Sequence, residues 1–495
     1  MPINLCYVLA LLAGALSALA FAPVGVYPLA PLGLAALFLL LRQTGTARPF
    51  VTGWLFGLGF FGVGVSWVYV SLHTYGGMAA PLALLATFLF CALLALFPGL
   101  ASSFWDHRKA ERAQFLLLLP AAWTLLEWVR GWIFTGFPWL ATGYSQVPDS
   151  PFAGYAPLLG VYGVSFVTAL SAGGLAWTWR SRGNLAAASR GMMLVLVLIA
   201  GGVALKAINW TQPHGAPLSV ALVQGNIPQE MKWDPELAAA SLKIYRQLAD
   251  STRARLVVLP ETALPVFFLD LPEMYKNELR RIGQERGGDV LAGVPTGDSS
   301  GAYLNSVASF GAEPTQFYHK HHLVPFGEFI PPGFGWVLRL LHIPLSDFSR
   351  GGASQAPFSV AGQKVAVNIC YEDAFGEEII HALPAATLLV NVSNDAWFGD
   401  GFAARQHRQI SQMRALETGR MVLRATNTGS TAIIDIKGRV VSEMDLFRRG
   451  ILQGQAQGYQ GLTPYARWGN LPVAVAVLVL LFVLGRGQRL VKRKR

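Results

Sequence analysis

The feature that most constrains this chain is a succession of long apolar runs, separated by short basic gaps, that fills its first 210 residues. Runs of roughly 17–25 apolar residues, wound as α-helices, match the hydrocarbon thickness of a bilayer. They fall near residues 5–22, 24–41, 51–72, 79–100, 114–134, 158–179 and 191–209, with an eighth near 471–485. Pro23, Pro28 and Pro31 crowd the junction of the first two and blur their limits. A cleaved signal peptide is the plainer reading of residues 1–22. That stretch has no basic leader and more spans follow it, so a retained helix is expected.

The charge balance supports the membrane reading. The net charge of +11 invites a nucleic-acid reading, but the basic residues are in the wrong places for one. Arg486, Arg489, Lys492, Arg493, Lys494 and Arg495 form a tail directly after an apolar run. Charged residues make up only 14% of the chain, against about 25% in soluble domains. With the N-terminus in the cytoplasm, every cytoplasmic gap is basic: Arg42 and Arg48, then Arg108, Lys109 and Arg112, then Arg180, Arg182 and Arg190, then the tail. The opposite gaps are nearly free of Lys and Arg, and this asymmetry sets orientation. It places residues 210–470 outside the cytoplasm, in the periplasm of a Gram-negative cell. The expected domains are a bundle over 1–210, an extracytoplasmic α/β domain over 211–470, and a last span with its tail over 471–495.

Residues 210–470 have a different texture. Short β-rich runs at 218–224, 255–260, 290–294, 303–310, 364–370, 387–393, 421–427 and 431–437 alternate with amphipathic stretches at 234–253, 273–286 and 403–419. Strands apolar on both faces imply sheets in layers covered by helices. Of three cysteines, Cys6 and Cys91 lie within apolar runs and Cys370 stands alone in this half, which excludes a disulfide framework there.

Three polar residues follow β-runs: Glu261 after RLVVLP, Lys320 after TQFYH, and Cys370 at the end of KVAVNIC. A thiol nucleophile acts as its thiolate, a carboxylate can take its proton, and an ammonium can steady the anions that form. The motifs VQGNIPQEMKWD (223–234), LPETALP (259–265), YHKHHLVPFGEFIP (318–331), NICYEDAFG (368–376) and NVSNDAWFG (391–399) occur in that order. Together they resemble the nitrilase superfamily and, more closely, its membrane branch, the apolipoprotein N-acyltransferases. The resemblance covers essentially the whole chain. It implies a polytopic bundle of about eight spans joined to a nitrilase-like αββα sandwich, in a bacterial inner membrane with the sandwich on the periplasmic side.

By that resemblance Glu261 is general base, Cys370 nucleophile and Lys320 stabiliser of the tetrahedral intermediate. Glu328 resembles a supporting carboxylate, with a turn cap as the plainer alternative. Glu372 and Tyr371 follow the nucleophile directly. Trp233 resembles a tryptophan near the site, and core packing is its other reading. The apolar segments 262–272 and 326–348, the latter carrying Phe334 and Trp336, have two readings, buried packing or loops that dip into the outer leaflet; in the second they frame a lipid cavity with the aromatic-rich stretch 130–157 and its Trp139. The family implies a phospholipid acyl donor and a diacylated apolipoprotein acceptor, and no cofactor.

Several features have duller readings. His319, His321 and His322 flank Lys320, but neighbours on a strand point to opposite faces and nothing completes a ligand set. Asn391-Val392-Ser393 matches a glycosylation sequon inside a strand-like run. Glu127, within a span, has Arg130 three residues on as a partner. A membrane-anchored amidase would need the same three residues, though eight spans exceed what an anchor requires. A transporter or scaffold would leave the motifs unexplained. Flanking spans restrict self-association, so a monomer is expected.

Overall fold

The computed structural model describes residues 2–43, 48–228, 235–297, 303–312, 314–330 and 348–486. Trp233, Phe334, Trp336 and the tail beyond residue 486 lie outside the described residues. The chain divides into two compact units: Met1–Tyr69 with Ala80–Asn209 and Arg467–Arg495, and Val70–Ala79 with Trp210–Ala466.

The first unit is helical. Helices Ile3–Ala18, Leu29–Gln43, Pro49–Gly64, Ala80–Leu94, Leu119–Arg130, Ala156–Arg180, Leu185–Lys206 and Leu471–Arg486 fall on the apolar runs. By length and composition Ala80–Ser102, Pro151–Arg180 and Leu185–Lys206 are long and apolar enough to cross a membrane, a fourth arising if a bent pair counts as one span. Ile3–Ala18, Leu29–Gln43 and Leu471–Leu484 are apolar but shorter. The first two stop short of the expected limits because Pro23, Gly25 at φ 70° and Pro28 turn the chain between them.

Glycine allows these helices to approach closely. A Cβ on Gly14 would lie 1.9 Å from the Phe56 carbonyl oxygen, and one on Gly59 would lie 2.0 Å from that of Leu11. Such small-residue seams are how helices pack where water drives nothing together. Leu84, Leu85, Phe88, Leu89, Met193 and Val197 are each more than half exposed. An apolar surface of that extent requires a non-aqueous solvent or a partner.

The second unit has twelve strands among the described residues: β1 Gln212–Gln224, β2 Leu256–Val258, β3 Asp289–Gly297, β4 Tyr303–Gly311, β5 Phe317–His319, β6 Phe358–Val360, β7 Gln363–Ile369, β8 Leu388–Ser393, β9 Val422–Thr426, β10 Ala432–Ile434, β11 Val440–Glu443 and β12 Gly450–Gln460. They form two six-stranded sheets, ordered β12-β1-β2-β3-β4-β5 and β11-β10-β9-β8-β7-β6. β1, β2 and β3 run parallel, as do β7, β8 and β9, while the outer pairs are antiparallel.

Alternation along each strand decides the layers. Val220, Leu222, Val258 and Leu291 of one sheet meet Val365, Val367, Val390 and Leu423 of the other. The intervening Ala221, Val223, Val257 and Val290 face Tyr245, Ala249, Leu279 and Ile282 of helices Pro235–Asp250 and Glu273–Gln284. Ala366, Leu389, Val422 and Ile434 meet Ala415 of helix Phe402–Thr418. The order of layers is helix, sheet, sheet, helix.

Candidate active site

Glu261, Lys320 and Cys370 each follow the end of a strand, β2, β5 and β7 respectively. The fold brings them together. Lys320 Nζ lies 2.8 Å from Glu328 Oε1 and 3.5 Å from Glu261 Oε1. Glu261 is further held at Oε1 by Asn305 Nδ2 (2.7 Å) and at Oε2 by the Asn394 amide (2.9 Å). Asn305 Nδ2 also donates to Glu328 Oε1 at 3.1 Å. Burial alone would favour a neutral Lys320; Glu328 and Glu261 outweigh it and hold the ammonium above the ordinary lysine range.

The Cys370 thiol is governed by the same cluster. Burial raises its pKa first, Glu261 raises it further, and Lys320 and the Ser393 hydroxyl pull it back only in part. It therefore rests as a neutral thiol at neutral pH, with the Glu261 carboxylate and the Lys320 ammonium as its charged neighbours. Cys370 has φ 54°, a left-handed conformation that costs a side-chain-bearing residue and is kept only where the surroundings enforce it. It opens the 3₁₀ turn Cys370–Ala374, so the strand stops where the thiol emerges.

The expected supporting residues fare differently. Glu328 faces Lys320, and it also accepts from the Val324 amide at 2.8 Å, so support and turn closure are one residue's work. Glu372 lies within the 3₁₀ turn Cys370–Ala374. In the turn its carboxylate accepts from the amides of Ile369 (2.7 Å), His321 (2.6 Å) and His322 (3.1 Å) and from the Tyr318 hydroxyl (2.9 Å). It ties the Lys320 loop to the Cys370 turn, and burial raises its pKa. Tyr371 is buried with its ring 5.1 Å from Phe375. Trp139 is buried at 1% exposure, its ring 5.4 Å from that of Trp67.

The three histidines are each engaged locally. His319 Nδ1 meets Ser306 Oγ (2.7 Å), His321 Nδ1 the Gly351 carbonyl (2.8 Å), and His322 Nδ1 Glu378 (2.8 Å). Asn391 of the sequon is fully buried, its Nδ2 donating to Asn368 Oδ1 and to the Cys370 carbonyl, so no glycan could reach it. Glu127 accepts from the Thr142 amide and hydroxyl while Arg130 donates to the carbonyls of Phe137 and Trp139, so both fasten the 137–142 segment.

Asn305, Asn394 and a buried cluster of Asp373, Asp395, His407 and Arg424 escaped the sequence reading. One signal was present: Arg424 interrupts the apolar strand β9, and a buried guanidinium requires carboxylates.

Residues 13–174 match the apolipoprotein N-acyltransferase N-terminal domain, and residues 219–465 match the carbon-nitrogen hydrolase domain. The chain is 51% identical to an apolipoprotein N-acyltransferase of Nitrosomonas europaea, over 94% of each protein. It is 49% identical to one from Chromobacterium violaceum, over 99% of this chain and 96% of that protein. A solved carbon-nitrogen hydrolase from Helicobacter pylori aligns with a TM-score of 0.37 and 18% identity, over 52% of this chain and 94% of that one.

Proposed function

The chain belongs to the apolipoprotein N-acyltransferase family, and from that premise we propose that it moves an acyl chain from a phospholipid, through a thioester on Cys370, to the α-amino group of an S-diacylglyceryl cysteine on a lipoprotein. The observation that carries this reading is the cluster of Glu261, Lys320 and Cys370 at three strand ends of one sandwich.

In this reading Glu261 takes the thiol proton as Cys370 Sγ attacks the ester carbonyl. Lys320 steadies the oxyanion of the tetrahedral intermediate. Collapse breaks the ester C–O bond, and Glu261 returns the proton to the departing lysophospholipid. The amine then attacks the thioester, Glu261 takes the proton it sheds, and the restored thiol recovers it as the amide leaves. Two moderate steps replace one hard transfer, and ping-pong kinetics follow. Membrane placement belongs to the same reading. The segments within 1–210 and 471–495 serve as about eight spans in a bacterial inner membrane, and 211–470 stand on the periplasmic side, supported by the basic gaps on the other side and the exposed apolar helix faces.

The test is intact mass spectrometry of the detergent-purified chain after incubation with phosphatidylethanolamine, beside Cys370→Ala and Glu261→Gln. One hydroxylamine-sensitive acyl adduct in the unaltered chain alone is expected. A folded protein whose Cys370 reacts with a maleimide yet gains no acyl mass would turn the reading towards hydrolysis of a small amide.

A further inference from the structure

We infer that His407 is a positioning residue: buried as an imidazolium, it holds the backbone of the Cys370 turn, and acyl transfer depends on its proton.

The geometry fixes the protonation. His407, 1% exposed on helix Phe402–Thr418, presents Nδ1 to Asp395 Oδ1 at 3.0 Å. Its Nε2 lies 2.9 Å from Asp373 Oδ1 and 3.1 Å from the Cys370 carbonyl oxygen. Carbonyls and carboxylates only accept, so both ring nitrogens must carry hydrogen. Arg424 of β9 faces both aspartates, its Nη1 3.2 Å from Asp373 Oδ2 and its Nη2 2.9 Å from Asp395 Oδ2, and it holds the Asp395 carboxyl below the ordinary aspartate range against the cost of burial. Ser411 donates to Asp373 and Ser393 to Asp395 as well. Asp373 from the turn after β7, Asp395 from the turn after β8 and Arg424 thus face His407 from three elements. Two cations and two anions balance, and a neutral His407 would leave an excess buried carboxylate beneath the nucleophile. Burial and Arg424 push the imidazole down, yet the two aspartates more than offset them and raise its pKa to about 9.

The contact reaches the reaction through the backbone. Cys370 keeps its left-handed φ of 54° while its carbonyl is held on one side by Asn391 Nδ2 and on the other by His407 Nε2, each at 3.1 Å. Losing the Nε2 hydrogen sets a lone pair against the Cys370 carbonyl and Asp373, and losing the Nδ1 hydrogen sets one against Asp395, so no neutral form of the ring satisfies both turns and the Cys370 turn loosens. A displacement near an ångström is enough to slow a transfer by roughly 100-fold. The lipid is not touched by His407, so turnover falls while KM does not.

This inference rests on the proposed thioester reaction, and one measurement separates the two. Single-turnover acylation of Cys370 by phosphatidylethanolamine is followed from pH 6 to 10 in the full-length protein. No thioester at any pH overturns the reaction and this inference with it. Thioester at pH 7, with a rate that declines as pH passes about 9 and a KM within roughly two-fold, is expected. Asp373→Asn removes one carboxylate from His407 and moves the midpoint down by about one pH unit. Ser411→Ala, a milder change that strips a donor from Asp373, moves it up. His407→Gln keeps a neutral donor, loses roughly 10- to 100-fold in rate and shows no such midpoint. A rate flat to pH 10, or one midpoint shared by the unaltered chain and the folded variants, overturns the inference and leaves the thioester reaction standing.

Discussion

Lys320 is 1% exposed, with one carboxylate at 2.8 Å and another at 3.5 Å. Desolvating all three charges is costly, and their attraction repays it only while the set is complete. Lys320→Met would leave Glu261 and Glu328 buried without their cation. We expect a loss of about 3–5 kcal/mol of stability, read as a lower melting temperature in detergent, together with loss of the thioester. Glu328→Gln keeps a hydrogen-bond acceptor and should keep the fold. At this scale the sequence singled out Glu261, Lys320 and Cys370 because each is a polar residue just after an apolar run, and each does follow a strand end. It could not name Asn305 or Asn394, whose roles exist only because β4 and the turn after β8 stand beside Glu261.

Between elements, Glu372 joins the loop after β5 to the turn after β7 through four donors, the Ile369 amide buried and those of Tyr318, His321 and His322 half-buried. Glu372→Ala strands the buried Ile369 amide, at about 1–3 kcal/mol, and frees the three half-buried donors. The expected outcome is a marked fall in melting temperature with slower acylation, checked by thermal unfolding beside the single-turnover rate. In the helical unit Gly14→Leu drives a side chain into the Phe56 carbonyl. Fluorescence-detected size exclusion should show less monodisperse protein, while Gly62→Leu, whose Cβ would meet nothing within 4 Å, should not. Most strands were legible from their apolar runs. β12 was not: GILQGQAQGYQ is rich in Gln and Gly, and it becomes a strand by pairing along β1 from Gln224↔Gly450 to Gln212↔Gln460. The edge strands β6 and β11 are too short to show a period.

For the whole molecule, the buried charges set a pH window of stability. His407 titrates near 9 when folded, above its unfolded value near 6.5. Its stabilisation is therefore complete below about 6.5 and is lost as pH rises through about 9, a change on the order of 3 kcal/mol. Asp395 goes the other way: although burial opposes it, Arg424 and His407 hold its pKa below the ordinary aspartate value, so its contribution is present above that value and lost in acid. Melting temperatures of the full chain should peak between these limits and fall on both sides. His407→Gln should flatten the alkaline side.

By itself the sequence determined that this chain has an apolar helical part and an α/β part, because segment length and hydrophobic period are local properties that water and lipid read directly. It also carried the order of Glu261, Lys320 and Cys370 and the motifs around them. Tertiary structure decided what each polar neighbour does with its side chain. It made Glu372 a tether and Trp139 a core residue, and it put His407 against the Cys370 carbonyl from 37 residues away along the chain. Burial and hydrogen bonding are properties of what surrounds a residue, and for these side chains the surroundings come from distant segments that no local pattern encodes.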